Sequence, residues 1–582
     1  MLTELLAARA EWTVSPLRLA PPVSDRAVWD RLPCADRWLA EGNAVPRAVP
    51  PLPLHLWQDF TVTGRRDRFE TVYFARRRGL CALVMAECVS GAGQFVSRIA
   101  DYCWAICEES AWQLPAHNSY LRDTPQLPLP DPDRPVIDLF AAETGALLAV
   151  TRALLGRTLD AAAPGLSARM AREVKKRILT PYRKTHFWWM GSGSEPMCNW
   201  TPWCTQNVLL AAGLLLPARA LPPYVRQAAY SLDCFLKDYG TDGCCSEGAQ
   251  YYRHAALTFW AALDLLCRMV PGVFDAAWAE PKVKNLAEYI VNMHVAGPYY
   301  LNFADCSPLA GSRGVREFLF GQRVGSAPLT ALAAADFAAD ADRDRMHCPD
   351  ASEGINLYYH LLTALHEEEL LAYPRQEASA GDSWYPSVGI RVVRRGAYVL
   401  GAKAGNNADS HNHNDVGSLT LWRGETPVLL DLGVETYCKK TFSPQRYEIW
   451  TMQSSWHNLP EFDGRQQQPG AAFAARDVQC LPDGLTLDLA PAYGPVPGLE
   501  YYRRTALLSE KGLVFTDETD YPRPVALTLL SLTPLTDARF EGADRVETET
   551  VPIKDARLRQ AWPGTVTRTR VWFTGRLRAE VR

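Results

Sequence analysis

Long apolar runs are missing from this chain. No uncharged apolar stretch reaches the roughly 18 residues that a membrane-spanning helix needs, and the longest candidate, Val208 to Leu216, reads as a buried helix. The first residues, Met1 to Trp12, lack the basic, apolar and small-residue order of a secretory leader, and Glu4 and Glu11 interrupt them. The expectation is a cytoplasmic protein, or a secreted or periplasmic one whose leader has been removed. Basic blocks are also missing. A net charge of -4 argues against nucleic acid as a partner, and Arg65-Arg66 and Arg76-Arg77-Arg78 read as solvated loop charge. The fifteen cysteines include no C-x-x-C pair: Cys103/Cys107 and Cys244-Cys245 have the wrong spacing. Free buried thiols in a reducing compartment are expected instead. Histidine is scarce, with eleven in all, and the H-E-x-x-H zinc motif fails at His366-Glu-Glu-Glu, where Leu370 replaces the second histidine.

What is present suits a large soluble protein. Hydrophobic residues make up 47% and charged residues 22% of 582, more chain than one core usually serves, so two domains are expected. Eighteen tryptophans suit a packed core and also the aromatic faces of a sugar-binding cleft. From about 135 to 370 apolar residues recur at three- and four-residue spacing. This predicts helices over Ile137 to Leu155, Ser167 to Ile178, Asn207 to Leu216, Tyr224 to Lys237, Ala255 to Val270 and Val283 to Val295. Gly or Pro closes many of them. Helix after helix with short joints predicts an antiparallel helical-hairpin array, an (α/α) toroid. The first 130 residues, rich in proline, read as irregular with a few helices. From about 385 the period becomes two. Gly389 to Lys403, Leu485 to Leu489, Glu500 to Leu508, Gly512 to Asp517, Val525 to Leu532 and Val566 to Phe573 predict an antiparallel β-sandwich. The junction falls between Tyr373-Pro374 and Tyr385-Pro386, giving domains 1-380 and 381-582.

Two of the few histidines stand two residues apart in Asp409-Ser-His-Asn-His-Asn-Asp415. In an extended strand His411, His413 and Asp415 share one face. The run from Gly417 to Asp431 reads as two strands around a turn at Arg423-Gly424-Glu425, which returns Asp431 toward the histidines. His457 completes a set of imidazoles and carboxylate suited to zinc. A second polar constellation, Asp242 to His254, precedes the helix at Ala255 and places Glu247, Tyr251 and Tyr252 near a helix start, where catalytic groups often lie. A third, Cys198-Asn-Trp-Thr-Pro-Trp203, flanks an amide with aromatics.

Together these segments resemble the heparinase II/III family of polysaccharide lyases. The likeness rests on Ser410-His-Asn-His-Asn-Asp-Val-Gly-Ser-Leu-Thr-Leu-Trp-Arg-Gly, Leu430-Asp-Leu-Gly-Val-Glu-Thr-Tyr and Trp456-His-Asn-Leu-Pro-Glu-Phe-Asp-Gly, and extends to Asn199-Trp200 and Ser246-Glu-Gly-Ala-Gln-Tyr. The resemblance implies a toroid followed by a sandwich, and β-elimination of a uronic-acid-containing glycan. It implies that Tyr251 and His411 are the catalytic acid and base, in an order left open, and that Asn199 contacts the substrate carboxylate. It implies further that His413, Asp431 and His457 bind zinc, in a structural role that supports His411. Glu247, Trp200, Trp203, Tyr252 and Arg253 are expected to bind substrate. Trp200 departs from family members with a histidine after the asparagine, and Gln250-Tyr251-Tyr252 leaves two tyrosines to choose between.

Removal of the C5 proton α to a uronate requires the carboxylate charge to be offset, which suits Asn199, and a base and acid of matched pKa. Glycoside hydrolysis by Asp242 and Glu247, with Asp305 in reserve, is the alternative chemistry. C5 epimerisation and silent glycan binding are the others. The expected partner is a uronate oligosaccharide or polysaccharide, with oligosaccharide favoured by the missing leader. Oligomeric state is open, a homodimer being one option.

Overall fold

The computed structural model describes residues 1–122, 124–374, 376 and 380–582. The expected junction between 373 and 386 therefore lies partly outside the described residues. The chain forms two compact units that are not contiguous in sequence. One comprises Met1–Asp238, Arg253–Val283 and Ser312–Glu377, the other Tyr239–Tyr252, Lys284–Gly311 and Ala378–Arg582. Two stretches read from sequence as part of the helical half thus belong to the strand-rich unit.

The first unit is the expected array of helices. Leu139–Ala162 begins where the Asp138 carboxylate accepts the Ala141 N–H at 2.7 Å. It packs against Asp67–Ser90 and Trp200–Leu215, and the latter against Pro222–Asp238. Although Leu139–Ala162 is long and apolar enough to cross a membrane, its first half is buried among these neighbours, as in a core helix. Val315–Val324, Ala327–Ala339 and Leu357–Ala372 form a further mutually packed group.

The first 130 residues are more helical than expected. Ala35–Ala44, Leu54–Thr63, Asp67–Ser90 and Val96–Glu108 are all helices. Arg76 and Arg77 are not loop charge: both are buried in Asp67–Ser90, where their guanidinium groups hold Glu109 at 2.9 and 2.6 Å. A buried cation with a bidentate carboxylate partner satisfies its charge inside the helix packing, and it also breaks the apolar period by which a helix is read.

The second unit is an antiparallel sandwich. One sheet has five strands in the order Ser383–Tyr385, Ile390–Arg395, Tyr398–Lys403, Leu419–Arg423 and Thr426–Leu429. The other has eight, and its path runs Arg476–Leu481, Gly484–Asp488, Tyr502–Ser509, Gly512–Thr519, Thr565–Val581, Val525–Ser531 and Pro460–Glu461. Alternate residues of Tyr502–Ser509 are buried, so the period of two read from sequence is the inner face of this sheet. Leu400, Leu421 and Leu429 of the first sheet share one core with Leu485, Leu513, Phe515 and Leu527 of the second. The long strand Arg539–Pro552, paired with Thr565–Val581, was not expected. Its Thr- and Glu-rich residues are mostly exposed, so it carries no apolar alternation.

Two buried side chains tie this core to the loops above it. Asn458 donates to the Leu419 and Leu430 carbonyls at 2.7 and 3.0 Å and accepts the Leu530 N–H. Arg504 grips Asp517 with two nitrogens and donates to the carbonyls of Gly417 and Asn458 at 2.9 and 2.8 Å.

Candidate active site

The expected His-x-His strand is a loop. Residues 408–418 carry no strand, and His411 adopts a left-handed backbone at φ 57, so the alternation argument fails. Side chains from outside the run take up its backbone groups, and its own side chains turn elsewhere. Asp415 forms an ion pair with the buried Lys403 ammonium at 2.7 Å instead of joining the histidines. Gln467 donates to the Val416 carbonyl at 2.7 Å, and Asn414 donates to that of Gln467. The hairpin is as expected: Leu419–Arg423 pairs with Thr426–Leu429 around Gly424, and Asp431 follows.

The histidines are nevertheless gathered, by a residue that sequence reasoning set aside. Asp305, fully buried, accepts from His411 Nδ1 at 2.8 Å through one oxygen and from His413 Nε2 at 3.0 Å through the other. Arg446 donates to the same carboxylate at 2.6 Å and Tyr437 at 3.2 Å. Burial alone would raise the Asp305 pKa, but the His411 and His413 hydrogen bonds and the Arg446 charge hold it well below the usual carboxylate range. The residue before it, Ala304, is also left-handed at φ 59. Non-glycine strain on both sides of one contact is characteristic of functional loops.

Tyr251 completes the cluster. It ends the short helix Ala249–Tyr251, entered through Gly248 at φ 93. A Cβ on Gly248 would lie 2.6 Å from Cys306 Cβ and 2.7 Å from the Phe303 carbonyl oxygen, so only glycine allows this segment to lie against the one that carries Asp305. Gln250 Oε1 reinforces the contact by accepting the Ser307 N–H. The Tyr251 ring stands 4.7 Å from the His411 ring, and its hydroxyl hydrogen-bonds that of Tyr437. Burial pushes both phenols up and keeps them protonated. His411 lies above the ordinary histidine value: burial opposes its charge, but Asp305 and Glu247 outweigh it. With Nδ1–H donated to Asp305, Nε2 is the nitrogen left for chemistry.

Tyr252 is a different kind of residue. It is fully buried with its hydroxyl on the Ala287 carbonyl at 3.0 Å, so the expectation that it binds substrate is corrected to a packing role. The carboxylate of Asp242, offered for hydrolysis, holds the Ser387 N–H and hydroxyl at 2.9 and 2.8 Å, a loop clamp. Glu247 is buried beside the cluster and contributes charge to His411.

The group that could hold a metal ion is His413, Asp431 and His457, all buried, with one ligand atom of each within 4.8 Å of the others. His411 lies outside this set, its Nδ1 on Asp305. His413 Nδ1 and His457 Nε2 are buried without a hydrogen-bond partner, while the opposite nitrogens donate to Asp305 and to Asp431 at 2.8 Å. Imidazoles oriented by carboxylates, each with its other nitrogen buried and unbonded, fit a divalent metal. Asn302 supports the arrangement by donating to the Asp431 carbonyl at 3.1 Å.

Among the residues proposed from the helical unit, Asn199 is buried and stands at the start of Trp200–Leu215. Trp200 packs against His117 and Trp188 at 4.8 and 5.2 Å. Trp203 is buried, stacked on His254 at 4.3 Å, and donates its indole N–H to Glu143. Arg253 forms a buried ion pair with Glu353. Trp203 and Arg253 line a cavity of about 90 Å³ within this unit.

Asp305 was read only as a reserve carboxylate for hydrolysis, and Tyr437 and Arg446 were given no role in the site. They share no local pattern with the histidines. The Asn302-Phe-Ala-Asp305 run is the only signal, an acid in an otherwise apolar segment.

Residues 377–524 match the family described as heparinase II/III-like, C-terminal. No curated protein sequence matches the chain. Among solved structures, a heparinase III superposes with a TM-score of 0.54 at 12% identity, covering 97% of this chain and 92% of the other. The heparan sulfate lyase HepC from Pedobacter heparinus gives 0.52 at 13%, covering 100% and 87%. A mutant chondroitin AC lyase from Streptomyces coelicolor A3 gives 0.50 at 14%, covering 97% and 83%. At these identities the likeness is one of fold: helices followed by an antiparallel sandwich.

Proposed function

We propose that this chain, which carries a heparinase II/III-like C-terminal domain over residues 377–524, is a polysaccharide lyase that cleaves a uronic-acid-containing glycan by β-elimination. The observation that carries the reading is the cluster of Tyr251, Tyr437, His411 and Asp305 within one unit. It offers a proton acceptor and a proton donor side by side, with no pair of free carboxylates. Proteins of the same fold named for heparan sulfate and chondroitin cleavage support a uronate glycan as the substrate class.

In this reading His411 Nε2 takes the C5 proton, and Asp305 stabilises the imidazolium that forms. The electron pair makes the C4–C5 double bond as the C4–O4 bond breaks. Tyr251, held protonated by its burial, gives its proton to the departing O4. Proton return from His411 to Tyr251, directly or through Tyr437, restores the site, so no water or other reactant is consumed. For Asn199 the resemblance alone implies a contact with the uronate carboxylate, which would offset its charge as C5 is deprotonated. His413, Asp431 and His457 would hold a zinc ion. An ion held there would supply a fixed positive charge beside the hairpin end and the loop that presents His411.

The test is a digest of heparan, chondroitin, hyaluronan and alginate oligosaccharides, followed by absorbance of the conjugated uronate and by product mass. Products with that chromophore support a lyase and identify its glycan. A recovered substrate with inverted C5 would instead mean an epimerase, and turnover of none of the four would count against the reading.

A further inference from the structure

Arg557 lies outside the 377–524 match, in the short crossing between the strands Arg539–Pro552 and Thr565–Val581. Its surroundings are built. Asp555 accepts the N–H groups of Arg557 and Leu558 at 2.9 and 3.1 Å and also that of Thr436 at 3.1 Å. Trp562 donates its indole N–H to the Leu432 carbonyl at 2.9 Å. The crossing is thereby fastened at two points to residues 432–437, the loop that ends in Tyr437.

The fastening delivers the guanidinium over the Tyr437 ring, 4.6 Å from its centre. It donates to neutral acceptors, Gln250 Oε1 at 3.3 Å and the Asp305 carbonyl at 3.4 Å. Among the described residues no carboxylate forms an ion pair with it. Two other arginines of this cluster and core are neutralised, Arg446 by Asp305 and Arg504 by Asp517. The anion that acts on this half-buried cation is Asp305, whose carboxylate is already held by Arg446, His411 and His413, so what the guanidinium faces directly is the hydrogen-bonded phenol pair.

We infer that Arg557 is a positioning residue whose charge is the counter-ion for the phenolate that the Tyr251–Tyr437 pair becomes when it gives up a proton. The inference rests on the elimination reading for its catalytic meaning, but the electrostatic claim stands without turnover. The charged and titratable groups around the pair are His411, Asp305 and Glu247, with Arg557 the cation among those that act on both phenols. Asp305 and Glu247 oppose a phenolate. An opposite charge at this range shifts a phenol by about one to three pH units.

The test uses the full chain with a fluorinated tyrosine at position 251, its ionisation followed by fluorine NMR in wild type, Arg557→Met and Arg557→Lys. The expected result is ionisation at a pH higher by about one unit or more in Arg557→Met, largely restored by Arg557→Lys. Equal ionisation pH in wild type and Arg557→Met, with both folded by circular dichroism, overturns the inference, whatever the enzyme does to glycans. Should Arg557→Met fail to fold, Arg557→Gln serves with the same expectation. In turnover, Arg557→Met should lower kcat and move the basic limb of its pH profile upward. A higher KM with an unmoved profile would make Arg557 a substrate anchor and would also overturn it. Absence of lyase products from the wild type would defeat the elimination reading alone.

Discussion

At the scale of single residues, one carboxylate organises the candidate site. Asp305 fixes the tautomer of His411 through one oxygen and of His413 through the other, so it serves both the proposed base and the proposed metal ligands. Asp305→Asn keeps the shape but replaces two acceptor oxygens by one acceptor and one donor. Loss of a carboxylate that orients a ligating or catalytic imidazole costs about 10–100-fold in activity or metal affinity. The expected outcome is a drop of that order in kcat together with weaker metal retention, measured by steady-state assay and by metal analysis after dialysis. Unchanged values of both would remove Asp305 from the site. His411, His413, Asp431 and His457 were legible because scarce histidines cluster in a short stretch. Asp305 was legible only as a reserve carboxylate in an apolar run, since it meets the histidines across more than a hundred residues. Arg557 was hidden for the same reason.

At the scale of elements, legibility followed burial pattern. Helices with an uninterrupted apolar face, such as Pro222–Asp238, fall where the period places them. Asp67–Ser90 does not read as a helix, because the buried Arg76–Arg77–Glu109 ion pairs put charge on its inner face. Arg539–Pro552 does not read as a strand, because both of its faces are largely polar and wet. The His-x-His run fails in the opposite sense: its spacing suits a strand, but the side chains of Asn406, Gln467 and Arg446 satisfy its backbone and hold a loop. The short helix that carries Tyr251 depends on Gly248. Gly248→Ala is expected to be strained twice, by its positive φ and by contact with the Phe303 carbonyl. It should lower the melting temperature and reduce kcat by displacing Tyr251, with little change at a control position such as Gly381, whose added Cβ would meet nothing and whose backbone is not left-handed. Equal melting temperatures for Gly248→Ala and wild type would contradict the close approach.

At the scale of the whole molecule, a helical array followed by a sandwich was readable from the change of period near 385, and the likeness to lyase structures agrees. The excursions 239–252 and 284–311 into the strand-rich unit were not, because helix-rich flanks conceal where a segment packs. Their consequence is that Tyr251, Asp305, His411 and the ligand set all belong to one unit. If zinc braces that unit, chelation should lower the melting temperature by several degrees, since a ligand that binds only the folded state stabilises it, and added zinc should restore it. Folded metal-free protein should still form unsaturated product, because the metal holds His411 in place without joining the chemistry. Complete loss of turnover in folded, metal-free protein would give the metal a direct part.

The most direct measurement is digestion of a cleavable uronate oligosaccharide in water enriched in oxygen-18, with products read by mass. Elimination draws no oxygen from solvent: one product carries the conjugated double bond, and the new reducing end is formed without solvent oxygen at the cleaved bond in the first moments of the reaction. Oxygen-18 retained at the cleaved bond, in products without the chromophore, would mean hydrolysis and would contradict the assignment of Tyr251 and His411 as an eliminating pair.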